Sequence, residues 1–302
     1  MMDRPPAVYP LDRSWDLQDA IALACTLEAA SPKAGNVHAT ASFGNMHFGH
    51  YAAAAAVLAR VLSRPPSPSV GRCIWDAVEE LSQRVGVNTS LGTIMLLAPI
   101  TVAWSAARGH DVARLRHEVD NSLRRMGASD AEDVYRAIRL AAPGGLGQSA
   151  THDVHGPPPH DLIAAMAQAA PRDAVARQFT IGLADIFDVW LPQLDESARI
   201  AEDVQTAVCW LQVRMLAAEP DGLIHRKCGA AAAREVQGLA QQVLAAWLAS
   251  TPAPPRSVRD ILACPRFLQL DASLRDSKNR RNPGTTADMI TATLLVRLLV
   301  GP

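Results

Sequence analysis

Residues Ser14–Asn36 read SWDLQDAIALACTLEAASPKAGN, and the spacing inside this stretch decides the fold class. Leu17, Ile21, Ala24 and Glu28 are separated by four, three and four positions, which puts them on one face of a helix. Ser14 is a good N-cap, so the spacing predicts a helix from about Ser14 to Ala30. Glu28 breaks the apolar stripe near its end. A carboxylate on an inward face needs a partner or a task, because an unpaired buried charge is costly. The helix then gives way to SPKAGN, where Gly35 permits a turn with positive φ.

The same periodicity recurs along the chain. Further helices are expected at Gly49–Arg64, Val70–Arg84, Leu91–Arg108, Asp111–Met126, Ala131–Ala142 and Asp161–Ala170. The remainder are Arg172–Leu194, Ser197–Ala218, Ala230–Ser250, Arg256–Arg275 and Thr286–Val300. No stretch alternates long enough to make a convincing strand. The expected fold is all-α, a single-domain bundle of about a dozen helices over residues 15–302 behind an N-terminal extension, 1–14. The Pro-rich breaks RPPSPS, GPPP and TPAPP are too short to be flexible interdomain linkers.

A formal net charge of -1 gives no global attraction to nucleic acid or anionic membrane, so any anion site must be local. The five cysteines are scattered and form no CxxC pair, which fits a reducing, cytoplasmic compartment. The N-terminus lacks the apolar core of a signal peptide, and Ile94–Ala107 is short for a bilayer span and contains Pro99. Neither nucleic acid nor a membrane is therefore an expected partner. The alanine-rich helices would suit either a homodimer or an internal core.

Five expected interhelical segments combine glycine with groups able to hold an anion: SPKAGN, VGVNTSLG (Val85–Gly92), PGGLG (Pro143–Gly147), HRKCG (His225–Gly229) and NPGTT (Asn282–Thr286). Glycine lets successive backbone N–H groups approach phosphate oxygens, and two of these segments run straight into helices whose free N–H groups favour anions. Each has a plainer reading. Thr285 to Asp288 fits a capping box, PGGLG fits a helix stop, Lys33 and Arg226 fit solvated surface charges, and Glu28 fits an ion pair with Lys33. None matches GxxxxGK[ST] or GxGxxG.

Taken together and in order, however, LEAASPKAGNVHA, AVEELSQRVGVNTSLGTIMLLAPI, YRAIRLAAPGGLG, RDAVARQF, GLIHRKCG and NPGTTADMITA resemble the triphosphoribosyl-dephospho-CoA synthase family over nearly the whole chain. The wording PKAGNVH and NPGTTAD resembles a divergent branch rather than the citrate-lyase one. Asn45 and His47 stand where the latter carries acidic residues, and Ala34 and His38 also depart from it.

The resemblance implies a helical enzyme that joins ATP to 3′-dephospho-CoA. A ribose 2′-hydroxyl attacks C1 of the ATP ribose, adenine leaves, and the triphosphate stays on the transferred sugar. It further implies ATP as a substrate, Mg²⁺, and a cradle of phosphate-binding loops. In this sequence Lys33, Gly35, Asn36, Asn88, Thr89 and Gly92 would bind the triphosphate, with Gly144 and Gly145 nearby. Arg226, Lys227 and Gly229 would add a cationic contact, and Asn282, Gly284, Thr285 and Thr286 would complete the cradle. Glu28, Lys33 and Asp288 are the candidate catalytic groups, and Glu28 and Asp288 the candidate metal ligands.

Other readings of the residues stay open at this point. A related transferase for a tetrahydromethanopterin-type cofactor precursor, or a helical nucleotide-binding protein without catalysis, would use the same loops. His38, His47 and His50, or His152, His155 and His160, are candidate zinc ligands without an accompanying zinc signature. Cys228 is a candidate nucleophile, although a small buried hydrophobe is the plainer reading.

Overall fold

The computed structural model describes residues 8–44, 46–64, 69–86, 90–107, 109–144, 152–251, 253–276 and 278–302. Asn45, Asn88, Thr89 and Gly145 lie outside the described residues. The chain is all-α, as its periodicity predicts. The only bridges among the described residues are two isolated ones, His38 with Ala41 and Phe43 with Met46, in the turn after the first helix.

Helix α1 (Leu17–Ala30) starts later than expected, with Asp16 rather than Ser14 as its N-cap; the Asp16 carboxylate accepts from the Asp19 N–H at 2.9 Å. Trp15 instead donates its backbone N–H to Leu298 near the C-terminus, at 2.8 Å. The preceding residues pack onto the body too, and Leu11 is fully buried in its main core. Helices α2 (Phe48–Leu62), α3 (Val70–Val85), α4 (Leu91–Ala107), α5 (Val112–Arg124), α6 (Ala128–Ala141) and α7 (Leu162–Ala169) follow the expected positions closely.

Beyond residue 170 the expected helices prove more broken. The single helix expected over Arg172–Leu194 is three pieces: α8 (Ala174–Thr180), a π-helical turn Ile186–Trp190, and α9 (Leu191–Ile200). Gly182 and Leu183 adopt φ of 63° and 57° between them, a left-handed step that no continuous helix contains. Helix α10 (Val204–Ala218) starts afresh because the Asp203 carboxylate caps it, accepting from the Thr206 N–H at 2.7 Å. The expected loop HRKCG lies mostly in a short helix, α11 (Gly222–Cys228), nucleated by Asp221, whose carboxylate accepts from the N–H groups of Leu223 and Ile224. After α12 (Ala230–Leu248), the expected helix Arg256–Arg275 is split into α13 (Val258–Ala263) and α14 (Pro265–Leu274). Cys264 is extended there, as residues before proline tend to be. The last helix, α15, runs Gly284–Val300.

Helices α4, α10 and α15 are buried on nearly all sides and form the axis of the molecule. The main core packs α1 to α9 around α4 and α15, while a second core joins α10 to α12, α13 and α14. Trp210, Trp247 and Phe267 centre that second core, with ring centroids 4.7 and 5.7 Å apart. Among the described residues no single helix is long and apolar enough to cross a membrane.

Two of these helices hold the turn after α1. Gln212, buried on α10, accepts the Ala34 N–H at 2.8 Å and donates to the Ala34 carbonyl at 2.8 Å and to Asn36 Oδ1 at 2.9 Å. From α14, Asp271 accepts the Gly35 N–H at 2.8 Å, and Arg275 donates to the Asn36 carbonyl at 3.1 Å. Gly35 sits at φ 70°, and a Cβ there would overlap Leu274, so only glycine fits both the turn and the neighbour. Gln212→Leu strands three buried polar groups and is expected to cost about 3 kcal/mol in urea unfolding. The surface change Gln242→Leu is expected to stay within about 0.5 kcal/mol in the same titration.

Candidate active site

A cavity of about 360 Å³ opens where α1, α2, α4, α6, α7, α8, α11 and α15 bring their ends or faces together. Distant turns meet there. Asn36, after α1, donates from Nδ2 to Asn282 Oδ1 at 2.8 Å, just ahead of α15, and both residues line the cavity. The first turns of α4 and α15 line it as well, through Gly92 and Thr93 on one and Gly284 and Thr285 on the other. Helix N-termini carry a partial positive charge, so this wall favours an anion.

Four carboxylate residues line the same space: Glu28, Asp153, Asp173 and Asp288. Glu28 lies on the last turn of α1, is 7% exposed, and pairs with Lys33 Nζ at 3.0 Å. Asp288, in the second turn of α15, accepts the Thr93 hydroxyl at 2.6 Å. Burial, with Glu28 and Asp221 nearby, pushes the Asp288 carboxyl up to about 7, while the Thr93 hydrogen bond and Arg226 pull the other way. Gly92 makes this placement sterically feasible, because a Cβ on it would overlap the Asp288 carboxylate. Tyr51, on α2, lines the same wall, and burial followed by the charges of Glu28 and Asp288 keeps its phenol protonated.

The cationic side comes from α11. Arg226 pairs with Asp173, the residue whose other carboxylate oxygen caps α8. Lys227 also lines the cavity, and no carboxylate pairs with it among the described residues. Burial and the adjacent Arg226 lower its pKa. A Cβ on Gly144 would lie 3.4 Å from the Lys227 Cε, so the PGGLG turn and α11 meet here. Arg172 stands exposed on the cavity lining.

Glu28, Asn36, Gly92, Gly144, Arg226, Lys227, Asn282, Gly284, Thr285 and Asp288 thus all line one cavity. Other expected ligands are elsewhere. Lys33 is completely buried behind Glu28 and does not line the cavity, so its expected direct contact with phosphate is not supported by the geometry. Gly35 is held by Asp271 and Leu274, and Gly229 ends α11 at φ 88°; neither lines the cavity. Thr286 gives both its N–H and its hydroxyl to Asp221 Oδ2, at 2.8 Å each, and so braces α15 against α11. Asp221 is buried, which raises its pKa despite the hydrogen bonds it accepts.

Tyr51, Thr93, Asp173 and Asp221 were not singled out from the sequence. The segment RDAVARQF contains Asp173, but nothing local marks its pairing with Arg226. Among the other candidates, His47 and His50 lie at the start of α2 with ring centroids 3.9 Å apart and planes tilted by 40°. His38 contacts Arg275, and burial followed by that guanidinium lowers its pKa to about 4. No group of three or more potential metal-ligating side chains gathers among the described residues. Cys228, at the end of α11, does not line the cavity.

A candidate triphosphoribosyl-dephospho-CoA synthase from Archaeoglobus fulgidus, known from its crystal structure, superposes with a TM-score of 0.58 at 22% identity. The match covers 84% of this chain and 98% of that one, and shows a shared fold. No curated protein matches the sequence. The sequence model for ATP:dephospho-CoA triphosphoribosyl transferase matches residues 14–301, which include every residue named on the cavity wall. The chain belongs to the ATP:dephospho-CoA triphosphoribosyl transferase family, a family of transferases that use ATP.

Proposed function

We propose that this cavity binds ATP and transfers its triphosphoribosyl group to the ribose 2′-hydroxyl of dephospho-CoA, releasing adenine. The observation carrying this reading is the meeting around one space of Glu28, Asp288, the first turns of α4 and α15, and Lys227, which pairs with no carboxylate among the described residues. The triphosphate stays on the transferred sugar, so its binding energy can position the reacting carbon throughout the reaction. Lys227, the Arg226–Asp173 pair, Asn36, Asn282 and the first turns of α4 and α15 supply the contacts.

In the chemical step an O–C1 bond forms to the acceptor and the C1–N bond to adenine breaks. Positive charge grows at the ribose carbon, where a nearby carboxylate stabilises it. Glu28 takes the proton from the attacking hydroxyl, and the departing adenine nitrogen gains a proton. Tyr51, protonated beside both carboxylates, is placed to donate a hydrogen bond to the sugar.

The donor set suits Mg²⁺, which prefers oxygen ligands and is commonly held by one or two carboxylates together with substrate phosphates. Glu28 already has Lys33 as a cationic partner, whereas Asp288 accepts the Thr93 hydroxyl, forms no ion pair among the described residues and carries the cost of burial beside other carboxylates. Asp288 is therefore the main ligand in this reading, with Glu28 beside it. Bound there, the ion would neutralise phosphate charge and orient the triphosphate.

Incubation with ATP, Mg²⁺ and dephospho-CoA is expected to release one adenine per joined product, followed by chromatography. Phosphate release without adenine would overturn the reading. Glu28→Gln is expected to lower kcat by about 10²-fold or more per folded molecule, with a loss of thermal stability because the Lys33 ammonium stays buried without its counter-charge. Asp288→Asn should raise the Mg²⁺ concentration needed for half-maximal rate, and Gly92→Ala, which displaces the same carboxylate, should do likewise. Lys227→Met is expected to raise KM for ATP about tenfold, the scale of one charge-assisted hydrogen bond.

A further inference from the structure

We infer that Lys33 is a positioning residue that fixes Glu28 on the cavity wall and makes no contact with substrate. The inference rests on the reading of Glu28 as the proton acceptor. An ammonium has three N–H donors and no acceptor. Lys33 Nζ has three acceptors around it: Glu28 Oε1 at 3.0 Å, the Glu28 carbonyl, and the Ser31 carbonyl at 3.4 Å. No donor remains for a phosphate. The side chain is 0% exposed, and Lys33 is absent from the cavity wall that Glu28 lines.

The arrangement also solves a local problem of α1. The carbonyls at the end of a helix lack intrahelical partners and carry partial negative charge, and Glu28 places a carboxylate in the same buried turn. One ammonium, folded back from the next turn, answers both. The backbone after it is held in turn, Ala34 by Gln212 and Gly35 by Asp271, which anchors the turn that carries the lysine. The Glu28 carboxylate is thus held by Lys33 in one orientation on the cavity wall.

A double-mutant cycle on the full-length enzyme separates this role from direct binding. The probes are ATP affinity by calorimetry and adenine release at saturating substrates, both per folded molecule. Lys33→Met is expected to lower kcat about as much as Glu28→Gln, some 10²-fold, with KM for ATP changed less than about twofold. In the Glu28→Gln background, adding Lys33→Met should change ATP affinity and residual rate by less than about twofold, because the two residues act as one unit. The double variant carries no stranded charge, so it keeps the test informative if Lys33→Met alone fails to fold. A tenfold or greater loss of ATP affinity on adding Lys33→Met to Glu28→Gln would overturn the inference. Full turnover by the single Lys33→Met enzyme would do the same. If wild-type enzyme released no adenine, the proposed reaction would fail by itself, while the ATP-affinity arm would still report whether Lys33 touches the nucleotide.

Discussion

The close approach of α4 and α15 at their first turns is the constraint from which the rest of the site follows. Asp288 occupies the space that a side chain at position 92 would take, and Thr93 pins it from the same turn of α4. Two helix N-termini are thereby held side by side on one cavity wall. Their partial positive charge tempers the cost of a carboxylate there, but burial and neighbouring acids still leave Asp288 poised near neutral pH. An anion with its own bound cation fits such a wall better than either ion alone.

Around that wall the charges are held in place by partners from distant segments. Glu28 is held by Lys33, Arg226 by Asp173, and the start of α15 by Asp221 through Thr286. Asn36 and Asn282 tie the turn after α1 to the turn before α15, and Gln212 anchors the first of these to the second core. Buried pairs of this kind add little to stability compared with apolar packing, because desolvation offsets most of their attraction. What they confer is a fixed orientation. Lys227 and Arg172 are cavity-lining cations that no carboxylate pairs with among the described residues.

Much of the helical framework was legible because helix periodicity is local. α2 to α7 lie close to where their apolar stripes place them. The misreadings fall where a capping or left-handed residue interrupts a pattern that remains apolar on both sides: Gly182 and Leu183, Asp203, and Cys264 before Pro265. HRKCG read as a loop because its helix is a single capped segment of seven residues, too short to show a period. The glycine-bearing turns pointed to the cavity correctly in outline, since Gly92, Gly144 and Gly284 all line it. Tyr51 and Thr93 gave no such sign, being ordinary members of amphipathic or buried helices.

By itself the sequence determined the all-α class, the family, and the presence of a carboxylate on the inward face of α1. Those are properties of spacing within a few turns, or of segments matched in order. Only the tertiary structure decided which charges face the cavity and which face each other. Lys33 and Arg226 look alike in sequence, each a cation beside a glycine-bearing turn, yet one is sealed behind Glu28 and the other lies on the cavity wall. The difference is set by partners such as Asp173, 53 positions from Arg226, and Gln212, 178 positions from Ala34. Contacts across such distances depend on how helices pack, and no local period encodes that.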